Sequence, residues 1–261
     1  MENKKFLTFP SEDILGYDVC TSDIDTIISG VVSHICSDSG CKFFVCLNPH
    51  SAEIAENDEL FRKSILNSEF ITADGVGIII ASILARGNIR NRVTGNDIFE
   101  GTNKALDAIG GKSVFLLGSS PENLMKMKSL FSEDYPNIQI SGSLSPELSD
   151  SPNRVHDAQI VEMINKTKSD VVWVGLGAPK QEKWVFRNYE QLNVKFIGPI
   201  GAVFDFYTNN IERAGPIWQK LGLEWLPRLL QEPKRLWRRS LVSGPRFLIR
   251  VLLRKSSNIS S

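Results

Sequence analysis

The chain has 261 residues, a length that fits one α/β domain with an appendage or two small domains. Its 42% hydrophobic and 23% charged residues are ordinary for a soluble globular protein. No stretch approaches the ~18 consecutive apolar residues of a membrane-spanning helix, so we expect none. The net charge is zero, but residues 212–255 carry +8 and the first 211 residues −8. This segregation predicts an anionic partner for the basic segment: membrane phosphate, a substrate diphosphate or nucleic acid.

The predicted elements alternate short apolar strands with amphipathic helices. In chain order they are a strand over 42–47, a helix from Pro49 to about Ile65, a strand over 70–74, a helix over 75–87, a strand over 113–118, a helix over 121–131, a strand over 137–144, a helix from Asp157 to Lys168, a strand over 171–177, a helix over 180–192 and a strand over 194–201. Continuous apolar strands alternating with helices predict a Rossmann-like, doubly wound, mostly parallel α/β sheet.

The pattern changes after Gly201, where four prolines break the chain into short helices and the basic residues begin. We therefore predict a Rossmann-like domain over 1–210 and a basic, helical appendage over 211–261. The four cysteines have no C-x-x-C pair and no zinc-like spacing. With a polar N-terminus, they are predicted to be buried free thiols in a reducing, cytoplasmic compartment.

The motif TADGVG (72–77) places Asp74 between a predicted strand and a predicted helix. Ligands of parallel sheets bind beyond the carboxyl ends of the strands, so Asp74 is a candidate functional carboxylate. The alternative is that it caps the helix by accepting from free backbone N–H groups. Gly75 and Gly77 allow a ligand to approach the backbone closely.

Two stretches, 114–124 and 171–184, share the layout of a buried strand, a small-residue loop and a helix N-terminus. Backbone N–H groups and the helix dipole favour a phosphate there. Gly175 and Gly177 lie in the second loop, and the pattern alone predicts an exposed Gln181 in the first turn of the following helix. The sequence contains neither a Walker A motif nor G-x-G-x-x-G, so a dinucleotide enzyme is not expected.

Three further features have competing interpretations. Arg92, in RVTGNDIF (92–99), is either a solvated arginine or a ligand of an anion or sugar. Asp23 and Asp25 form a D-x-D motif, but it precedes a helical pattern, so helix capping is expected instead of metal binding. The three histidines are scattered, and no metal site is predicted.

The basic segment contains two patterns. Arg228, Arg235 and Arg238 have helical spacing that places them on one face, where three guanidinium groups would bind a diphosphate. The stretch 244–255, GPRFLIRVLLRK, predicts an interfacial helix with its apolar flank in the acyl boundary and its arginines on lipid headgroups. The alternative is a terminal helix docked on the body.

Five blocks in order over about residues 40–255 resemble the WecG/TagA/CpsF family, glycosyltransferase family 26: TADGVG, RVTGNDIF, GLGAPKQEKW, GAVFDF and RAGPIWQKLGLEWLPRLLQEPKRLWRR. The resemblance implies a Rossmann-like body and a C-terminal appendage that targets the membrane and completes the active site. It also implies an inverting hexosyl transfer from a UDP-sugar to a polyprenyl-diphosphate-linked sugar, without a metal or other cofactor.

On this resemblance the catalytic aspartate is Asp74, and the donor-contacting arginine and glutamine are Arg92 and Gln181. The family's T-x-N motif falls on Cys46 and Asn48, where a thiol replaces the family's hydroxyl. The other substrate-binding candidates are the loop glycines, the carboxylate of GAVFDF and the appendage arginines: Gly175, Gly177, Asp205, Arg228, Arg235 and Arg238.

The expected partners are the UDP-sugar, the lipid-linked acceptor and the inner face of the cell membrane, where the protein would be peripheral. The donor stays open between N-acetylmannosamine, its uronic acid, glucose and another hexose, as do the acceptor sugar and homo-oligomerisation. Two alternatives are a non-catalytic nucleotide-sugar-binding protein and a nucleic-acid-binding protein. The aromatic residues of the basic segment suit packing better than base stacking, so nucleic acid is not expected.

Overall fold

A computed structural model describes residues 7–146, 154–211 and 237–259, with single positions 215, 218, 226 and 229. The described residues form an eight-stranded sheet with helices on both faces, which confirms the predicted α/β class. The strands are β1 (Ser11–Ile14), β2 (Tyr17–Cys20), β3 (Lys42–Leu47), β4 (Phe70–Ala73), β5 (Lys112–Gly118), β6 (Ile138–Leu144), β7 (Val171–Gly175) and β8 (Phe196–Pro199). The helices are α1 (Ile24–Ile35), α2 (Pro49–Ala55), α3 (Glu59–Leu66), α4 (Val76–Leu84), α5 (Gly95–Ile109), α6 (Pro121–Asp134), α7 (Arg154–Thr167), α8 (Lys180–Asn188) with a 3₁₀ turn (Tyr189–Gln191), α9 (Val203–Tyr207) and, after a π-helical segment (Arg238–Ser243), α10 (Gly244–Ile259).

The strand order is β1-β2-β4-β3-β8-β7-β5-β6, and every neighbouring pair is parallel except β1 and β2. The β1–β2 hairpin was not predicted from the sequence. Its turn has positive φ at both Leu15 (55°) and Gly16 (90°), as the tight hairpin turns that match strand twist require. Leucine rarely adopts that conformation, so Leu-Gly carries no recognisable turn signal.

The core has two halves, one on each face of the sheet, because successive strand residues point to opposite faces. In β3, Phe43, Val45 and Leu47 belong to one half and Phe44 to the other. The helices that cover the first face contribute Phe61, Ile78, Ile160, Trp184 and Phe247. Those that cover the second contribute Ile27, Phe99, Phe131 and Phe204.

Two sequence predictions are wrong in detail. The helix expected from Pro49 to about Ile65 is two helices, α2 and α3, because the Oδ1 atom of Asp58 accepts from the N–H of Phe61 at 3.0 Å and starts a new helix. The cysteines are free, but they are not all buried. Cys20 is buried, Cys41 and Cys46 are partly exposed, and Cys36 is exposed.

Helix α10 docks on α2 and α4. Phe247 is fully buried in the first half of the core, and the guanidinium of Arg250 contacts Glu53 (2.9 Å) and Glu56 (2.6 Å) of the α2 segment. The expectation that Arg250 lies on lipid headgroups is therefore wrong, because its charge is paired with the body. Ile249, Leu252 and Leu253 remain exposed. No described helix is long and apolar enough to cross a membrane.

Candidate active site

The loops after β3 and β4 lie side by side at the carboxyl edge of the sheet. The backbone N–H of Asp74 donates to the carbonyl of Leu47 at 2.8 Å, so Asp74 sits beside the start of the loop that carries Asn48. Asp74 follows the last residue of β4 and is partly exposed. The predicted position of Asp74 at the carboxyl edge is therefore confirmed, and the residue is not sealed in the interior.

Glycines shape this part of the edge. A Cβ atom added at Gly77 would lie 2.3 Å from Cγ of Pro49, so only glycine lets the first turn of α4 pack on α2. Gly75 has φ of 114° and is the N-cap residue of α4. The N-cap position thus falls on Gly75, which has no side chain to accept from the helix N–H groups, and not on Asp74, as the capping alternative required.

Asn48 starts α2 through a capping box. Its Oδ1 atom accepts from the N–H groups of His50 (3.1 Å) and Ser51 (3.0 Å), and its own N–H donates to Oγ of Ser51 at 2.8 Å. The carboxamide oxygen is thus engaged in the cap, and the group that Asn48 can offer a substrate is its NH₂.

Cys46 is the next-to-last residue of β3. The hydroxyl of Thr72 donates to its Sγ atom at 3.3 Å. Burial raises the pKa of the Cys46 thiol well above its ordinary value, and the negative charges of Asp74, Glu182 and Asp97 act in the same direction. The thiol is therefore neutral at physiological pH. It can act as a weak hydrogen-bonding group at the position of the family's hydroxyl, but not as a thiolate nucleophile.

Arg92 is brought toward the same edge by the backbone. The N–H of Val93 donates to the carbonyl of Ala73, the last residue of β4, at 2.9 Å, so the segment that carries Arg92 lies beside the end of β4. Arg92 is partly exposed. Thr94 then starts α5, with its N–H and hydroxyl both donating to Oδ2 of Asp97 at 2.8 Å. We call residues 46–49, 72–77 and 92–94 the β3/β4 half of the edge.

The loop after β7 is closed by Gln181. The backbone N–H of Gln181 donates to the carbonyl of Gly177 (3.1 Å), and the N–H of Gly177 donates to Oε1 of Gln181 (3.2 Å). The side chain is only 4% exposed, so the exposed position predicted from the pattern is wrong. The reason is the loop after β8, where a Cβ at Gly201 would lie 3.5 Å from the Gln181 carboxamide.

Asp205 belongs to a neighbouring polar group. Its Oδ1 atom accepts from Nδ2 of Asn123 at 3.0 Å, and the same nitrogen donates to Oγ of Ser119 at 2.8 Å. The strand ends are close here, because a Cβ at Gly118 would lie 2.5 Å from the carbonyl oxygen of Gly175. We call residues 118–123, 175–182 and 200–205 the β5/β7 half of the edge.

The two halves meet where α5 begins. A Cβ at Gly95 would lie 3.4 Å from Cα of Ile200, so the segment after Arg92 packs directly on the loop after β8. The structure thus brings the candidates of the body to one edge of the sheet: Cys46, Asn48, Asp74, Arg92, Gly175, Gly177, Gln181 and Asp205.

The appendage reaches the β3/β4 half from outside. The Oγ atom of Ser243, in the π-helical segment, lies 2.9 Å from Nδ1 of His50, in the first turn of α2. Of the predicted diphosphate-binding arginines, Arg228 and Arg235 lie outside the described residues, and Arg238 is described through its backbone alone.

Comparisons with known proteins identify the family. A sequence profile of the glycosyl transferase WecG/TagA/CpsF family matches residues 12–260. The chain belongs to this family. It is similar to an N-acetylglucosaminyldiphosphoundecaprenol N-acetyl-beta-D-mannosaminyltransferase of Bacillus subtilis (strain 168), with 31% identity over 93% of this chain and 91% of the relative. It is also similar to a protein of the same name from Staphylococcus aureus (strain MW2), with 27% identity over 92% of this chain and 91% of the relative.

Membership of this glycosyltransferase family favours the enzymatic interpretation over the two binding-protein alternatives. Within the described ranges, no group of three or more His, Cys, Asp or Glu side chains comes together as metal ligands would. Asp23 of the D-x-D motif caps α1, its Oδ1 atom accepting from the N–H of Thr26 at 2.8 Å, which confirms the capping interpretation.

Sequence reasoning missed Glu182, His50 and Asn123. Glu182 is buried beside Gln181, and a signal for it exists, because it lies three residues before the apolar Val185 and so on the inward face of α8. Nothing in the sequence indicates the contact of His50 with Ser243, which joins residues 193 apart.

Proposed function

We propose that this glycosyltransferase is an inverting hexosyltransferase of cell-surface polysaccharide synthesis, and that it transfers an N-acetylmannosaminyl group from a UDP-sugar to a polyprenyl-diphosphate-linked sugar. The observation that carries the proposal is the position of Asp74, a partly exposed residue at the carboxyl edge of the sheet beside the loop after β3, in a chain of this glycosyltransferase family. The names of both relatives supply the mannosaminyl group and a diphosphoundecaprenol-linked acceptor. N-acetylmannosaminuronic acid and glucose are the competing donor sugars.

Asp74 is the general base. The acceptor hydroxyl gives its proton to the Asp74 carboxylate while its oxygen bonds to the anomeric carbon, and the bond from that carbon to the β-phosphate of UDP breaks. Such proton transfer contributes about 10²–10⁴-fold to the rate. Displacement from the opposite face inverts an α-linked donor to a β-linked product, in keeping with the β linkage in the relatives' names.

The β5/β7 half receives the leaving UDP. Its negative charge grows as the bond breaks, and fixed N–H groups and cations stabilise that charge most when they are oriented beforehand. The loop over 175–181, Arg92 and the appendage arginines Arg228, Arg235 and Arg238 supply those groups. In this proposal they act without a metal ion. Asp205 and Asn48 contact substrate hydroxyls.

The appendage, residues 211–261, brings the body to a lipid-linked acceptor at the inner face of the membrane. Helix α10 is suited to an interface because Ile249, Leu252 and Leu253 are exposed beside the exposed Arg246. Cationic side chains at the edge of such a face are attracted to anionic headgroups. The protein is then a peripheral membrane protein, in which one side of α10 packs on the body and the exposed apolar side chains of α10 contact the lipid.

A donor panel tests the proposal. The full chain is incubated with a polyprenyl-diphosphate-linked N-acetylglucosamine and, in turn, the UDP derivatives of N-acetylmannosamine, N-acetylmannosaminuronic acid, N-acetylglucosamine and glucose. Release of UDP is measured with and without acceptor. We expect acceptor-dependent release with UDP-N-acetylmannosamine at the highest rate. No release of UDP with any donor would contradict the proposed transferase activity. A higher rate with another donor would identify that donor's sugar, and not N-acetylmannosamine, as the group transferred.

A further inference from the structure

Glu182 is a buried carboxyl at the start of α8 for which the mechanism above has no use. It is 4% exposed, and its only hydrogen-bonded side-chain atom is Oε1, since Oε2 has no partner among the described residues. Burial raises the pKa of Glu182 to about 7. Two charged residues of α8 are paired elsewhere, Lys183 with Asp58 and Arg187 with Asp157.

The carboxyl is the last member of a chain of hydrogen bonds that starts in the loop after β7. The N–H of Gly177 donates to Oε1 of Gln181 at 3.2 Å, and Nε2 of Gln181 donates to Oε1 of Glu182 at 2.8 Å. A carboxamide has an acceptor end and a donor end. The N–H group at one end and the carboxyl at the other therefore allow a single orientation of the Gln181 amide.

Packing makes that orientation consequential. The Gln181 carboxamide lies against Gly201, in the loop after β8, and Gly177 has φ of 76° in the loop after β7. Gln181 thus joins the two loops. A turned amide would face the N–H of Gly177 with its own NH₂ group, and that N–H would lose its acceptor within the protein at a partly buried hydrogen bond.

A buried carboxyl at this position lowers the stability of the fold, so packing alone does not explain it. A buried ionisable group without a charged partner destabilises a fold, and an apolar side chain of similar size is commonly tolerated or stabilising. Residues that break such a rule are found where function requires them.

We propose that Glu182 is a positioning residue for donor binding, which acts through Gln181 to hold the loop over Gly175–Gly177 in the conformation that receives the donor diphosphate. This inference rests on the proposed function, because the loop is assigned there to the leaving UDP. Glu182 itself does not touch the substrate.

The test compares Glu182→Leu with Glu182→Gln. The leucine removes the oxygen that accepts the hydrogen bond from the Gln181 amide, whereas the glutamine keeps a carboxamide oxygen in its place. The control is Asp157→Leu, which removes another buried carboxyl that bonds to α8, but at Arg187, away from the loop. Kinetics are measured for the donor at saturating acceptor. In parallel, hydrogen exchange of the amides of residues 175–181 is followed in the substrate-free protein.

We expect Glu182→Leu to raise the donor KM by up to about tenfold and to speed the exchange of the Gly177 amide by a similar factor, the net effect of one lost hydrogen bond. Glu182→Gln and Asp157→Leu should stay near wild type in both measurements. In a double-mutant cycle, Glu182→Leu should add little to Gln181→Leu, because both remove the same link.

Additive effects of the two substitutions, or unchanged exchange and KM in a folded Glu182→Leu, would overturn the proposal. A wild-type protein that releases no UDP would contradict the proposed function instead. In that case the exchange measurement, which needs no substrate, still decides whether Glu182 holds the loop.

Discussion

The two halves of the sheet edge are held in different ways. In the β3/β4 half, Asp74 is placed by a backbone hydrogen bond to Leu47 and by the close packing of Gly77 on Pro49. In the β5/β7 half, the polar ends of Gln181 and Asp205 are placed by side-chain hydrogen bonds, from Gly177 through Gln181 to Glu182 and from Ser119 through Asn123 to Asp205.

The difference matters for what each half responds to. Steric fit responds to side-chain volume and to whatever presses on α2 and α4 from outside, namely α10 and the contact of Ser243 with His50. Hydrogen-bonded chains respond to protonation and to the loss of single polar atoms. The half that carries the proposed base is thus linked to the appendage, whereas the half proposed for UDP is linked to a titrating carboxyl.

Removing Phe247 should cause the largest loss of stability. The side chain is fully buried and connects α10 to the core beneath α2 and α4, so Phe247→Ala should lower the free energy of unfolding by about 3–5 kcal/mol. The measurement is urea unfolding of the full chain. The control Leu253→Ala removes an exposed side chain of α10 and should cost less than about 0.5 kcal/mol. Equal effects of the two would show that α10 is not held through Phe247.

Glu182→Gln should reveal the titration in the β5/β7 half. Burial raises the pKa of Glu182 from 4.5 to about 7. The folded wild type therefore binds a proton that the unfolded chain has lost, and its stability falls as the pH rises from about 4.5 to about 7. The glutamine variant lacks this loss, so its stability relative to wild type should grow by roughly 3 kcal/mol across that range.

The measurement is urea unfolding of both proteins at acidic and alkaline pH. All other titrating groups are shared by the two proteins, so their contributions cancel in the difference. A difference that stays constant with pH would mean that Glu182 titrates at its ordinary value.

Gly77→Ala tests the steric fit of the β3/β4 half. Alanine favours helices over glycine by about 1 kcal/mol, so stabilisation would be expected from propensity alone. Because the new Cβ lies 2.3 Å from Pro49, we expect instead a loss of about 1–3 kcal/mol together with slower transfer. Gly40→Ala is the matched control, since nothing lies within 4 Å of its Cβ position. A Gly77→Ala protein as stable and as active as Gly40→Ala would contradict the account.

Substitutions at Cys46 should have the smallest effects. Threonine restores a hydroxyl beside Thr72 and Asp74, whereas valine has the same shape without a polar atom. We expect Cys46→Thr to match or exceed wild-type catalytic efficiency and Cys46→Val to fall by up to about tenfold, the value of one hydrogen bond. Equal catalytic efficiency of the threonine and valine variants would mean that the polar atom of residue 46 does not contribute to substrate binding or catalysis.

The sequence predicted the fold class and the place of Asp74 because both depend on local patterns. An apolar run, FITA, followed by Gly-rich turn residues and a helical pattern locates a strand end without knowledge of the rest of the chain. The burial of Gln181 depends on Gly201, in the next strand's loop. The docking of α10 depends on Glu53 and Glu56, about 200 positions earlier in the chain, and periodicity cannot report such pairings.

The role of Asp74 is tested most directly by acceptor-dependent UDP release from the full chain and from Asp74→Asn, each at saturating UDP-N-acetylmannosamine and lipid-linked N-acetylglucosamine. The amide is close in size to the carboxylate but cannot take up the hydroxyl proton. We predict that the rate falls by about 10²–10⁴-fold, with unfolding and UDP affinity unchanged. A folded Asp74→Asn protein that turns over at the wild-type rate would contradict the assignment of Asp74 as the base.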